Sequence, residues 1–205
     1  KLTMEYVESS FVTPFIPIFS NLRTLFLSGQ KKRADFSNED LDLRPLSSSL
    51  PLLTHMSLRN FNLADTIESL RNLVHLSTLL FHRCDVTDSL GFLAQNENSR
   101  PDLRTLCFNS CRGFSSDSFA SLSYTPNLHS FKFTAYPPSS TDFCNNSLRY
   151  LKNMVHLRKL DLSNSNIIGD SDRSLKMLMQ KLFQLEELDL GLCNIGDQGG
   201  AIAGA

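Results

Sequence analysis

The sequence predicts an α/β solenoid, with short parallel strands stacked into one sheet on a concave face and helices on the convex side. Three observations predict it. Thirty-five of the 205 residues are Leu, about 17 %, beside 27 Ser and no Trp, so the apolar content is concentrated in one residue type. Those leucines recur in one six-residue pattern along the chain. After each copy, the apolar spacing changes from alternation to steps of three and four, the period of a helix.

The strands follow from the pattern itself. It reads Leu22-Arg-Thr-Leu25-Phe-Leu27, Leu53-Thr-His-Met56-Ser-Leu58, Leu76-Ser-Thr-Leu79-Leu-Phe81 and Leu103-Arg-Thr-Leu106-Cys-Phe108. Three more copies are Leu128-His-Ser-Phe131-Lys-Phe133, Leu157-Arg-Lys-Leu160-Asp-Leu162 and Leu185-Glu-Glu-Leu188-Asp-Leu190. First letters at 22, 53, 76, 103, 128, 157 and 185 lie 31, 23, 27, 25, 29 and 28 residues apart. Three residues past the last apolar letter stands Phe61, Cys84, Cys111, Tyr136, Ser165 or Cys193. Two further on comes Leu63, Val86, Ile167 or Ile195 in the regular copies, while the first copy has Gln30 and Lys32 in these slots. The stretch Asn72-Leu-Val-His75-Leu76 returns as Asn153-Met-Val-His156-Leu157, 81 residues later. This is an L-x-x-L-x-L-x-x-N/C-x-L signature, and the chain resembles the leucine-rich repeat family.

The convex elements are expected to be helices. An Asp recurs after the strands of the last six copies, at 65, 88, 117, 142, 170 and 197, where a carboxylate can cap the free N–H groups of a first turn. Leu175, Leu178, Leu182 and Leu185 then follow at steps of three, four and three, and Ile67, Leu70 and Leu73 at steps of three. Repeats of this length with true helices resemble the ribonuclease-inhibitor-like subclass, as does the stretch 193–205. The expectation is one leucine-rich repeat domain over 1–205 with about seven repeats. It is read as a fragment of a longer array truncated at both ends, because terminal repeats normally carry a polar cap.

Alternation along a strand decides which side chains are displayed. The letter between the last two apolar positions faces out: Phe26, Ser57, Leu80, Cys107, Lys132, Asp161 and Asp189. The flanking rows add Lys159 and Glu187 on one side, and Arg59, His82 and Asn109 on the other. These twelve residues are the candidate partner-binding set. Leu80, Cys107 and Phe26 place apolar groups in solvent, and Lys132 with Lys159 gives way to Asp161, Glu187 and Asp189. A basic step beside an acidic one suits docking of a protein with mixed surface charge.

The rest of the composition excludes more than it offers. Twenty basic residues against 21 acidic ones leave a net charge of −1, without the polybasic signature of nucleic-acid or membrane binding. No apolar run approaches the ~20 residues that span a bilayer. Five Cys in unpaired spacing fit a reducing compartment, so the expected location is the cytoplasm or nucleus. No C-x-x-C is present, and no nucleophile accompanies the five His. Neither a metal, a cofactor nor catalysis is expected. The sequon at Asn145 is read as chance, and the loops at 28–49 and 136–141 as tolerated insertions. The resemblance implies a protein-interaction scaffold within a larger intracellular protein, such as an innate immune receptor. A ubiquitin-ligase substrate receptor is the alternative, followed by a cytoskeletal or ciliary scaffold. A GTPase-activating array is the enzymatic rival, for which no polar constellation is visible.

Overall fold

The structure is a computed structural model, and it describes residues 1–30, 38–86, 90–94, 100, 102–115, 118–135, 145–165 and 171–193. Its strands are β1 (Leu2–Val7), β2 (Thr24–Gly29), β3 (Glu39–Asp40), β4 (His55–Arg59), β5 (Phe61–Asn62), β6 (Thr78–His82), β7 (Thr105–Cys111), β8 (Ser130–Ala135), β9 (Lys159–Asp161) and β10 (Glu187–Asp189). Eight of them form one parallel sheet in the order β1-β2-β4-β6-β7-β8-β9-β10, and β3 pairs with β5 in a short second ladder.

All seven predicted strands lie in the large sheet, and equivalent letters align. Leu25, Met56, Leu79, Leu106, Phe131, Leu160 and Leu188 are Cα partners in succession. The apolar letters face the core because a one-residue slip would turn every Leu into solvent. Just before each strand, a single carbonyl serves two donors. Arg23 O accepts from the N–H groups of Thr54 and His55, and Arg104 O from those of His129 and Ser130. The first strand, β1, is an addition to the seven. Leu2 and Met4 pair with Leu25 and Leu27, filling the second and third apolar letters. A search for the full six-letter pattern misses it, since its first letter would precede Lys1.

The convex side departs from the expectation of helices throughout. Among the described residues, only α1 (Ser9–Phe15), α2 (Arg44–Ser49), α3 (Asn145–Leu151) and α4 (Ser171–Met179) are α-helical. Ile16–Phe19, Ile67–Asn72, Gly91–Leu93 and Ser118–Tyr124 are 3₁₀ turns. The reason is in the spacing. Ile67, Leu70 and Leu73 are buried at a strict step of three, which eclipses on a helix of three residues per turn. Leu175, Leu178 and Leu182 are buried at steps of three and four, which is the α period. Asp65 is not a cap either. It is exposed, and Thr66 precedes the 3₁₀ turn without a side-chain capping bond. The other five Asp positions, together with Lys31–Arg33, the loop at 136–141 and Ile167 and Ile195, lie outside the described residues.

In the slot after each strand, Cys and Ser perform one task. The Cys84 thiol donates to Leu58 O at 3.4 Å and the Cys193 thiol to Leu162 O at 2.8 Å. Ser165 does the same with its hydroxyl, donating to Phe133 O at 3.0 Å. Phe61 fills its copy with an apolar ring, fully buried. Behind the middle strands, Phe81, Phe92, Phe108, Phe114, Phe119, Phe131 and Phe133 form a continuous series of stacked and edge-on rings. Arg100 is a core residue that no pattern announced. It is 2 % exposed, and its guanidinium donates to Leu70 O and to Leu73 O (3.3 Å), a second donor for carbonyls that already accept from the Leu73 and Leu76 N–H groups. Burial pulls its pKa down to about 10.

A left-handed residue ends most strands. Tyr6, Asn60, Arg83, Ser110, Asn164 and Leu192 all have φ between 52° and 59°, and each stands two residues past the last inward apolar letter of its strand. The kink turns the chain toward the next ladder while keeping the backbone bonded: Arg83 N–H donates to Asn109 O at 2.8 Å, and Asn164 N–H to Gly191 O at 2.7 Å. Asn tolerates this conformation, whereas a long side chain is strained there. Arg83→Gly is therefore expected to stabilise the array by about 1 kcal/mol, read as a rise in the urea midpoint. An unchanged or lower midpoint would show that the Arg83 side chain makes a compensating contact.

Candidate partner-binding face

The displayed row assembles as one line across the sheet. Phe26, Ser57, Leu80, Cys107, Lys132, Asp161 and Asp189 are successive Cα partners, with Thr3 of β1 extending the line beyond Phe26. Arg59, His82 and Asn109 form a second line beside it, and Lys159 pairs with Glu187 on the other side. All twelve candidate residues thus share one face.

Two expectations about that face need correction. Cys107 is not displayed in solvent but 7 % exposed, closed over in the row between Leu80 and Lys132. Its burial pushes the thiol up to about 11, and that of Cys84 goes up to about 12, so neither is a thiolate at neutral pH. The cations, in turn, are spent on neighbouring carboxylates, while Asp189 accepts from its own Gly191 N–H. Lys132 pairs with Asp161, Lys159 with Glu187 at 2.5 Å and Arg158 with Glu186 at 3.1 Å, each between neighbouring strands. Asp161 also accepts from the Ser163 N–H and hydroxyl. Its burial favours the neutral acid, but these bonds and Lys132 outweigh it, and the carboxyl sits below the usual range. Residues 28 or 29 apart in sequence meet here because the repeat places them in register on adjacent strands, roughly 4.8 Å apart.

The other half of the face is different. Phe26, Ser57, Arg59 and His82 line a groove of about 440 Å³ together with Thr3 and Glu5 of β1 and Lys1 just before it. The Lys1 ammonium lies over the Phe26 ring, 5.1 Å from its centre. Arg59 is exposed and makes no ion pair with any described residue. His82 is half-buried, and burial together with the Arg59 and Lys132 charges lowers its pKa. Thr3 and Glu5 belong to the strand that the repeat pattern missed; Leu2 and Met4 at alternate positions were its signal. A second recess, of about 500 Å³, opens at the rim where the strands begin, between Arg23, His75, Asp102 and Arg104. His75 and Asp102 approach there to 3.8 Å, both largely exposed.

The lowered pKa of His82 has a stability consequence with a definite sign. The unfolded chain takes up the His82 proton near the ordinary value of 6.5, and the folded chain only at lower pH. Stability is therefore full above pH 6.5 and declines as the pH falls toward the folded value. His82→Asn is expected to flatten the decline in melting temperature between pH 7.5 and about 5.5. Parallel slopes for the two proteins would assign the decline to other groups.

No family model and no curated protein matches the chain. Solved structures do. It superposes on internalin C2 of Listeria monocytogenes with a TM-score of 0.61 and 20 % identity, covering 89 % of this chain and 67 % of that one. The internalin inlF of the same organism gives 0.55 and 16 %, over 91 % and 59 %. A chain of the mouse RP105/MD-1 complex gives 0.52 and 18 %, over 91 % and 37 %. This chain thus spans two-thirds or less of each. With its aligned strands, its inward leucine letters and these structural likenesses, the chain has the fold of a leucine-rich repeat solenoid.

Proposed function

We propose that the chain is a non-catalytic recognition array that docks a partner protein on the sheet face between β1 and β7. One observation carries the reading: the lysines of β8 and β9 are paired with carboxylates of the neighbouring strands, whereas Arg59 stands on the face without an ion pair among the described residues, beside the apolar groups of Phe26 and Leu80. An eight-stranded sheet presents them in fixed positions, so little entropy is lost on docking. The mouse chain of similar fold belongs to a two-protein complex, which supports a protein as the partner. Four described cysteines are free and buried, which supports a reducing, cytoplasmic or nuclear setting within a larger protein such as an innate immune receptor. The α-helices α3 and α4 favour a ribonuclease-inhibitor-like array toward the C-terminal end. A ubiquitin-ligase substrate receptor is the second reading, favoured by the thiols of Cys84, Cys111 and Cys193 in one repeat slot.

The test is crosslinked capture from native cells with the full-length protein, followed by an affinity measurement on the partner obtained. Leu80→Glu is expected to weaken that affinity about tenfold or more at an unchanged melting temperature. Arg71→Glu, on the convex side, is expected to leave it unaltered. Equal affinity for wild type and Leu80→Glu would remove the partner from this face.

A further inference from the structure

We propose that the groove between β1 and β6 receives an extended acidic segment of a partner protein, with one carboxylate on the Arg59 guanidinium and a neighbouring apolar side chain on Phe26. The proposal rests on the sheet face being the partner surface, and it adds the chemistry of what binds there.

Charge complementarity carries it. Toward β10, every cation named on the sheet face already has a carboxylate: Lys132 has Asp161 and Lys159 has Glu187. An acidic ligand arriving there must displace an existing pair. Arg59 is the exception, exposed and without an ion-pair partner among the described residues. Its own row reads Glu5, Ser28, Arg59 and His82 on β1, β2, β4 and β6. Glu5 therefore stands two strands away, roughly 10 Å, and Ser28 separates the two. On the other flank is His82, whose facing charges are Arg59 and Lys132, both positive. The groove thus holds a forked donor in a locally positive field, the geometry that a planar carboxylate fits with two hydrogen bonds.

The rest of the groove sets the remaining chemistry. Phe26 forms its apolar floor with the Lys1 ammonium over one part of the ring, and Ser57 is a small residue between Phe26 and Leu80 that leaves room beside it. A volume of about 440 Å³ admits a few side chains of an extended segment. The cations of the groove are Arg59 and Lys1, the latter over the Phe26 ring, and Glu5 is the one carboxylate among its lining residues.

The experiment selects a random dodecapeptide phage library on the full-length protein and on Arg59→Gln and Arg59→Glu variants of equal melting temperature. On the wild type we expect Asp or Glu enriched at a constant spacing from Leu or Phe. Arg59→Gln should lose the acidic preference, and Arg59→Glu should select Lys or Arg in its place. The leading wild-type peptide should bind Arg59→Gln about tenfold more weakly. The same peptides on all three proteins, or no binder at all, overturn the proposal. Release of the peptide by inorganic phosphate alone would reduce the groove to a simple anion site and overturn it too. Peptides that ignore Arg59 but are lost with Leu80→Glu sink the acidic ligand while leaving the sheet face in place. Peptides indifferent to both changes take down both readings.

Discussion

Phe108→Ala is expected to destabilise the array by about 3–5 kcal/mol. The ring is fully buried, stacked on Phe81 at 5.1 Å between centres and edge-on to Phe114 at 5.0 Å. Truncation removes the transfer energy of an aromatic side chain and leaves a hole that fixed strands on both sides cannot close. The position adds a second effect. In a solenoid each repeat is stabilised by contact with its neighbours, and Phe108 lies on β7, in the middle of the sheet. Urea unfolding followed by circular dichroism should therefore show a lower midpoint and a shallower slope, because the two halves begin to unfold separately. Phe108→Leu keeps most of the volume and should cost less than about 1.5 kcal/mol. A loss below about 1 kcal/mol for Phe108→Ala would mean that the aromatic series does not couple the repeats.

Gly113→Ala is expected to cost about 3 kcal/mol, although the residue is exposed. Its φ is +91°, and an added Cβ would stand 1.8 Å from the Val86 carbonyl oxygen. That carbonyl cannot retreat cheaply. Val86 N–H donates to Arg112 O at 2.9 Å, Arg112 N–H donates to Cys84 O at 3.0 Å, and the Arg112 guanidinium grips both oxygens of Asp85 at 2.6 and 2.9 Å. Relieving the clash means opening this small second ladder between two repeats. Gly191→Ala is the control. Its nearest obstacle is the tip of Asp189 at 3.1 Å, a flexible side chain, so a change within about 0.5 kcal/mol is expected. Equal melting temperatures for the two variants would show that the Gly113 turn shifts freely.

Strand number, direction and facing were largely legible in the sequence, and the reason is local. A period of two fixes which letters point inward, and repetition of Leu25, Met56, Leu79, Leu106, Phe131 and Leu160 at one slot leaves a single register that buries them all. The 3₁₀ turns were legible in principle, since Ile67, Leu70 and Leu73 keep a step of three where Leu175, Leu178 and Leu182 do not. Even the hidden strand β1 left a trace in Leu2 and Met4.

What only the tertiary structure decided concerns groups whose neighbours are a full repeat away. Lys132 and Asp161 are each a displayed charge in the sequence; stacked on adjacent strands they neutralise one another, and the candidate surface moves toward Arg59, Phe26 and His82. Cys107 alternates correctly for solvent yet is covered in its row. Arg100 looks like a loop cation, but it is buried with its guanidinium on the Leu70 and Leu73 carbonyls of the preceding repeat. Intrinsic periodicity determines the orientation of each side chain. Exposure and charge pairing depend on the residue one repeat above or below, and stacking sets that neighbour.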